Sequence, residues 1–135
     1  MRTRLFACAA AFLTVAAGLG IRAVMTGDTA KYAGDALYTV LIYVLVVLIA
    51  PAVKPVVAAG VAMGFSCAVE LLQLTGLVGD LAAHHLAARL VLGTTFNAPD
   101  LIWYAVGAIL SALIHSAARR PVLTAVRPVE CSRGR

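Results

Sequence analysis

Four apolar runs, residues 5–21, 36–50, 56–74 and 101–114 with an extension to 118, take up most of this 135-residue chain. Each comes close to the about 20 apolar residues that carry a helix across a hydrocarbon core. Lipid offers the backbone no hydrogen bonds, so such runs must satisfy their own amides and fold as helices. The pattern predicts an all-α, polytopic membrane protein: a four-transmembrane-helix bundle with spans at about 5–21, 36–50, 56–74 and 101–118. One integral membrane domain, residues 1–135, accounts for the chain, with a basic tail at 119–135.

Composition points the same way. Hydrophobic residues make up 62% and charged residues 13%, against about 45–50% and about 25% in soluble domains. Mean hydropathy is +0.96. Four spans leave no room for a catalytic domain outside the membrane. The first run, bounded by Arg2, Arg4 and Arg22, shares features with a secretory signal peptide, and Thr29-Ala30 is a weak candidate cleavage site. At about 17 residues the run is too long for a signal core and long enough to be retained as a span.

The net charge of +5 is topological. Arg2, Arg4, Lys54 and the tail residues Arg119, Arg120, Arg127, Arg133 and Arg135 fall on one side of the four spans. Arg22, Lys31 and Arg89 fall on the other. Eight against three places both termini in the cytoplasm by the positive-inside rule. No basic stripe with interleaved aromatics offers a nucleic acid a surface. Cys8, Cys67 and Cys131 have no close spacing and read as free thiols rather than a disulfide framework.

The stretch from 75 to 100 is too polar for a span and too apolar for a loop. Leu77, Leu81, Leu86 and Leu90 recur at helical intervals around Asp80, His84, His85 and Arg89. A short interfacial or re-entrant segment between the third and fourth helices is expected. His84 and His85 point about 100° apart on a helix and lack a third spaced ligand, so no metal site and no cofactor are expected.

The predicted bundle gathers polar residues at its outward end. Arg22 closes the first span, and Lys31, Asp35 and Tyr38 open the second. Glu70 and Gln73 share one face near the end of the third, and Asp100 and Tyr104 share one face at the start of the fourth. Each residue singly is equally well explained as interhelical glue or a helix-end group. Glu70 is the exception, because a carboxylate inside the apolar stretch 65–74 needs a partner, and Arg89 or Arg22 is the expected one. His115 reads as a satisfied polar residue of the last span. Gly60 and Gly64 form a GxxxG pair, and Gly107 and Ser111 a second small pair. Either lets a helix backbone approach closely, from this chain or from a second copy.

These residues also carry a resemblance. Lys31-Tyr32-Ala33-Gly34-Asp35-Ala36-Leu37-Tyr38, then Val69-Glu70-Leu71-Leu72-Gln73-Leu74, then Arg89-Leu90-Val91-Leu92-Gly93-Thr94-Thr95-Phe96 and Asp100-Leu101 with Tyr104 to Gly107, resemble a bacterial membrane-protein family, domain-of-unknown-function family 2809. The likeness runs from Gly18 to Ile114 and implies a bacterial cell membrane, but brings no activity with it. More distantly, the order Glu70, Gln73, Arg89, Asp100 is similar to VanZ-like proteins of the cell envelope, associated with teicoplanin resistance. Tyr104 departs from the asparagine often found there. That likeness implies a shared four-helix fold rather than a shared activity.

The leading expectation is a protein that binds an anionic lipid headgroup or envelope-lipid intermediate, with no catalytic residue. Arg22, Lys31 and Arg89 would hold phosphate oxygens, Asp35, Glu70 and Asp100 would orient those cations, and Gln73 and Tyr104 would bond the remainder. One alternative is a proton-coupled transporter built around Glu70 and dimerised through Gly60 and Gly64. The other is a lipid hydrolase using Glu70 or Asp100 as base.

Overall fold

The computed structural model describes residues 2–75, 80, 83, 84 and 97–119. Four helices run through them: α1 (Arg2–Val24), α2 (Asp28–Ile49), α3 (Pro55–Gln73) and α4 (Asp100–Arg119). All four are long and apolar enough to cross a membrane, and no strand occurs among the described residues. The shortest, α3, has 19 residues and is about 28 Å long at about 1.5 Å per residue. The expected all-α, four-span architecture is the one observed. Most of the anticipated interfacial or re-entrant segment, and the tail beyond Arg119, lie outside the described residues.

Helix α2 starts at Asp28, well before the apolar run at 36. Lys31, Tyr32 and Asp35 therefore stand on its first two turns, not in a polar loop. Two local features explain the early start. Gly27 turns the chain with a φ of 77°, a left-handed conformation that glycine adopts without penalty. Asp28 then places a carboxylate in the first turn, where the helix dipole favours it. At the other end the chain reverses through residues 50–54, with Pro55 opening α3 at a position that needs no amide donor.

Contacts among the four helices are unequal. Helix α2 packs against α1, α3 and α4, and α3 also packs against α4. The α2–α3 seam is built from small side chains at a spacing of four. Helix α3 presents Ala58, Ala62 and Ser66 to Thr39, Tyr43 and Val47 of α2, all of them buried. The Thr39 and Ser66 hydroxyls meet at 3.0 Å inside this seam. In lipid, apolar surface alone does not drive helices together, so close backbone approach and interhelical hydrogen bonds do.

The two glycine motifs fare differently. Gly107 is buried against α2, and a Cβ there would fall on the Ala36 carbonyl oxygen. Gly60 and Gly64 are exposed, with nothing near the position of an added Cβ. Gly107 therefore sets the α2–α4 approach, while Gly60 and Gly64 take no part in packing within the described chain.

Helix α1 stands apart. It packs on α2, and Ala7 is its one fully buried residue among those described. Phe6, Phe12, Leu13 and Leu19 are exposed, and in a bilayer they meet lipid.

Because backbone cannot yield as a flexible side chain does, Gly107→Ala should destabilise the bundle by about 1–3 kcal/mol, the usual cost of overpacking. Gly60→Ala should leave stability within about 0.5 kcal/mol, as for surface changes. Unfolding of the purified protein in mixed micelles, followed by helicity, distinguishes the two.

Candidate functional site

The four helices alternate in direction, so the end of α3 and the starts of α2 and α4 share one end of the bundle. Polar residues meet there. Glu70 is 1% exposed, and both its oxygens are occupied. Oε1 accepts the backbone N–H of Asn97 at 2.6 Å, and Oε2 accepts the Tyr104 hydroxyl at 2.9 Å. The carboxylate thus ties the last turn of α3 to the first turns of α4 and to the segment just before it. Charge-assisted hydrogen bonds of this kind are the strong ones in a low-dielectric setting.

Asp100, 3% exposed, holds a second set of bonds. The Lys31 ammonium lies 2.8 Å from Oδ2, and the Asn97 side-chain amide donates to Oδ1 at 2.7 Å. This ion pair joins α2 to α4. Asn97 serves both carboxylates, its backbone bonding Glu70 and its side chain bonding Asp100. Its carbonyl also accepts the Asp100 amide, in the turn that starts α4.

Asp35, one turn along α2 from Lys31, is half-buried, lies close enough to Asp100 for a side-chain hydrogen bond, and is within electrostatic reach of Lys31 and Glu70. Its Oδ2 and the Tyr38 hydroxyl are buried and have no hydrogen-bond partner among the described residues. Tyr38 leans on Tyr104, with ring centroids 6.4 Å apart. Tyr32 stacks on Trp103 at 5.6 Å, so the start of α2 is fastened to α4 by rings as well as charge.

Of the eight residues singled out from sequence, Lys31, Asp35, Glu70, Asp100 and Tyr104 converge here. Gln73 follows Glu70 one turn later on α3, half-buried and with an interaction of its own. Arg22 does not join. It is exposed at the end of α1, outside the hydrogen-bonded network, because α1 leans only on α2. Arg89 lies outside the described residues. The partner expected for Glu70 was a cation, and among the described residues it is instead a phenol and a backbone amide.

Asn97 was not singled out from sequence. It carries a weak signal, an asparagine three residues before an N-terminal aspartate. His84 is exposed, and His85 is not among the described residues. No group of three or more His, Cys, Asp or Glu side chains among the described residues is arranged to hold a metal. Cys8 and Cys67 are free thiols.

At the opposite end, the Tyr43 hydroxyl is 2.8 Å from His115 Nδ1, with the rings edge-on at 5.9 Å. Arg119 closes that end by donating to the Val53 and Ala52 carbonyls at 2.8 and 3.3 Å. His115 is thus a paired polar residue, as its sequence setting suggests.

Removing the Tyr104 hydroxyl or the Glu70 charge should have overlapping effects. Tyr104→Phe and Glu70→Gln should each cost about 1–2 kcal/mol, between the average for interhelical bonds in membranes and that for bonds to charged groups. The double variant should cost less than their sum, and a mixed-micelle unfolding cycle measures the coupling. Strict additivity would mean the contact carries no energy.

A family model described as "Protein of unknown function (DUF2809)" matches residues 24–108. The match covers more than half of the chain and takes in Lys31, Asp35, Glu70, Asp100 and Tyr104. The chain belongs to that family. No curated protein and no solved structure gives a significant match.

Proposed function

We propose that this DUF2809 member binds the headgroup of an anionic membrane lipid, or an envelope-lipid intermediate, in the polar cluster around Lys31. The carrying observation is that a partly exposed ammonium stands beside buried polar atoms that lack partners among the described residues. The Lys31 side chain is 39% exposed and pinned by Asp100. Its remaining N–H donors are open to a phosphate oxygen. Asp35 Oδ2 and the Tyr38 hydroxyl have no hydrogen-bond partner among the described residues. A headgroup bearing both a phosphate and hydroxyl groups supplies both needs: oxygen acceptors for Lys31, and donors for Asp35. Arg22 and Arg89 remain candidate phosphate contacts at the rim, and Gln73 and Tyr104 candidate neutral ones. Glu70 acts through Asn97 and Tyr104 by fixing the start of α4.

The setting we infer is a bacterial plasma membrane with both termini cytoplasmic and the cluster outward, supported by the distribution of Lys and Arg. The order Glu70, Gln73, Arg89, Asp100, similar to that of VanZ-like proteins, supports an envelope lipid as the ligand.

A second reading rests on one specific imbalance. Three carboxylates, Asp35, Glu70 and Asp100, surround a single ammonium in the described cluster. Acidic groups in excess inside a membrane can exchange protons, which favours a proton-coupled transporter working as an oligomer. The exposed Gly60 and Gly64 offer a second copy a close approach.

Native mass spectrometry of the protein released from membranes separates the readings. The wild type should carry an anionic phospholipid, and Lys31→Gln should lose most of it while retaining its helicity. Equal retention by both would remove the headgroup reading. A proton-driven flux in proteoliposomes, abolished by Asp35→Asn, together with a dimer mass lost in Gly60→Leu/Gly64→Leu, would establish the second.

A further inference from the structure

Helices α1 and α4 both pack on α2, and among the described residues they do not pack closely on each other. Between them, at the His115 end, is a cavity of about 540 Å³. That volume is within the range of about 300–1,000 Å³ typical of small-molecule sites. Phe6, Ala10 and Val44 line it with hydrocarbon, and Tyr43, His115 and Arg119 add polar groups to its wall. The Glu70 cluster lies at the far end of the bundle, so neither site contributes a residue to the other.

We propose that this cavity is a binding site for a single-chain anionic amphiphile, its alkyl chain along Phe6, Ala10 and Val44 and its acidic head on Arg119. Three observations carry this. The cavity is open where α1 and α4 fail to meet, and in a bilayer that gap faces lipid chains. The polar groups of the wall are few, as in ligand pockets that use apolar lining for affinity and a few polar groups for orientation. Arg119 supplies the charge: two of its N–H donors go to Val53 and Ala52, and the rest of the guanidinium fork can take a carboxylate or phosphate. Arg4 and Lys54, both exposed at this end, add to the positive field.

The test uses the full chain in phosphatidylcholine nanodiscs, with empty nanodiscs as the reference for partitioning. Radiolabelled palmitate, hexadecyl phosphate and hexadecanol are compared. Both acids should bind the wild type at least about tenfold tighter than the alcohol, the scale of one charge-assisted hydrogen bond. Stronger binding of palmitate would assign a fatty acid, and stronger binding of hexadecyl phosphate a phosphate-headed lipid. In Arg119→Gln the acids should fall to the level of the alcohol while alcohol binding is unchanged, a ratio that loss of fold would not produce. Ala10→Phe, which fills the cavity, should weaken all three at least about tenfold. Alcohol bound as tightly as the acids by wild type, an unaltered ratio in Arg119→Gln, or unaltered binding in Ala10→Phe would overturn the assignment. Failure of the wild type to bind any of the three would also overturn it, leaving the cavity to the chain's own residues 120–135.

Discussion

A carboxylate at the end of an apolar helix must be bonded from outside that helix, and the arrangement around Glu70 follows from this. Its two oxygens take a phenol from one helix and a backbone amide from the segment leading into it. Asn97 then passes the constraint to Asp100, and Asp100 passes it to Lys31. Three helices are thereby registered by one continuous set of bonds. The water-free alternative, an unpaired ion in a low-dielectric setting, costs several kcal/mol per group. The network therefore determines which end of α4 meets which end of α3 more firmly than the apolar surfaces do, since those match lipid equally well.

The parts of the fold visible in the sequence are those with a one-dimensional signature. Four apolar runs reveal four helices, and charged residues at the run ends reveal where polar groups collect. What pairs with what is set by helix rotation, and the composition of an apolar run does not encode it. Glu70 illustrates the gap: charge counting assigned it a cation, and among the described residues the bundle presents Tyr104 and Asn97. Arg22 is near the cluster along the chain but sits on α1, which among the described helices packs closely on α2 alone. Helix α2 likewise starts at Asp28 because Gly27 turns the chain, a local event that hydropathy does not register.

Small residues show the same limit. Gly60-Gly64 and Gly107-Ser111 look equivalent in sequence, yet Gly107 is pressed on the Ala36 carbonyl and Gly60 and Gly64 are bare. The α2–α3 seam is made instead by Ala58, Ala62 and Ser66 against Thr39 and Tyr43, residues with no distinguishing mark in an alanine-rich run. A helix has one face for each neighbour, and α3 spends the Ala58 face on α2. The Gly60 face is the opposite one. Its smallness serves nothing within the described chain.

The two ends of the bundle differ in how their polar groups are held, and that difference bears on what each can bind. Around Glu70 the groups are dense and mutually bonded, so a ligand there must match leftover valences one by one, at Asp35 Oδ2, Tyr38 and the Lys31 ammonium. Such a site selects by hydrogen-bond pattern. Around His115 the polar groups are sparse, and space is left because α1 packs closely on α2 alone among the described helices. Such a site would select by shape and by positive charge, chiefly that of Arg119. A lipid presents both kinds of chemistry, a patterned head and a featureless chain. In this bundle a site of the first kind would lie where three helices converge, and one of the second kind in the gap between α1 and α4.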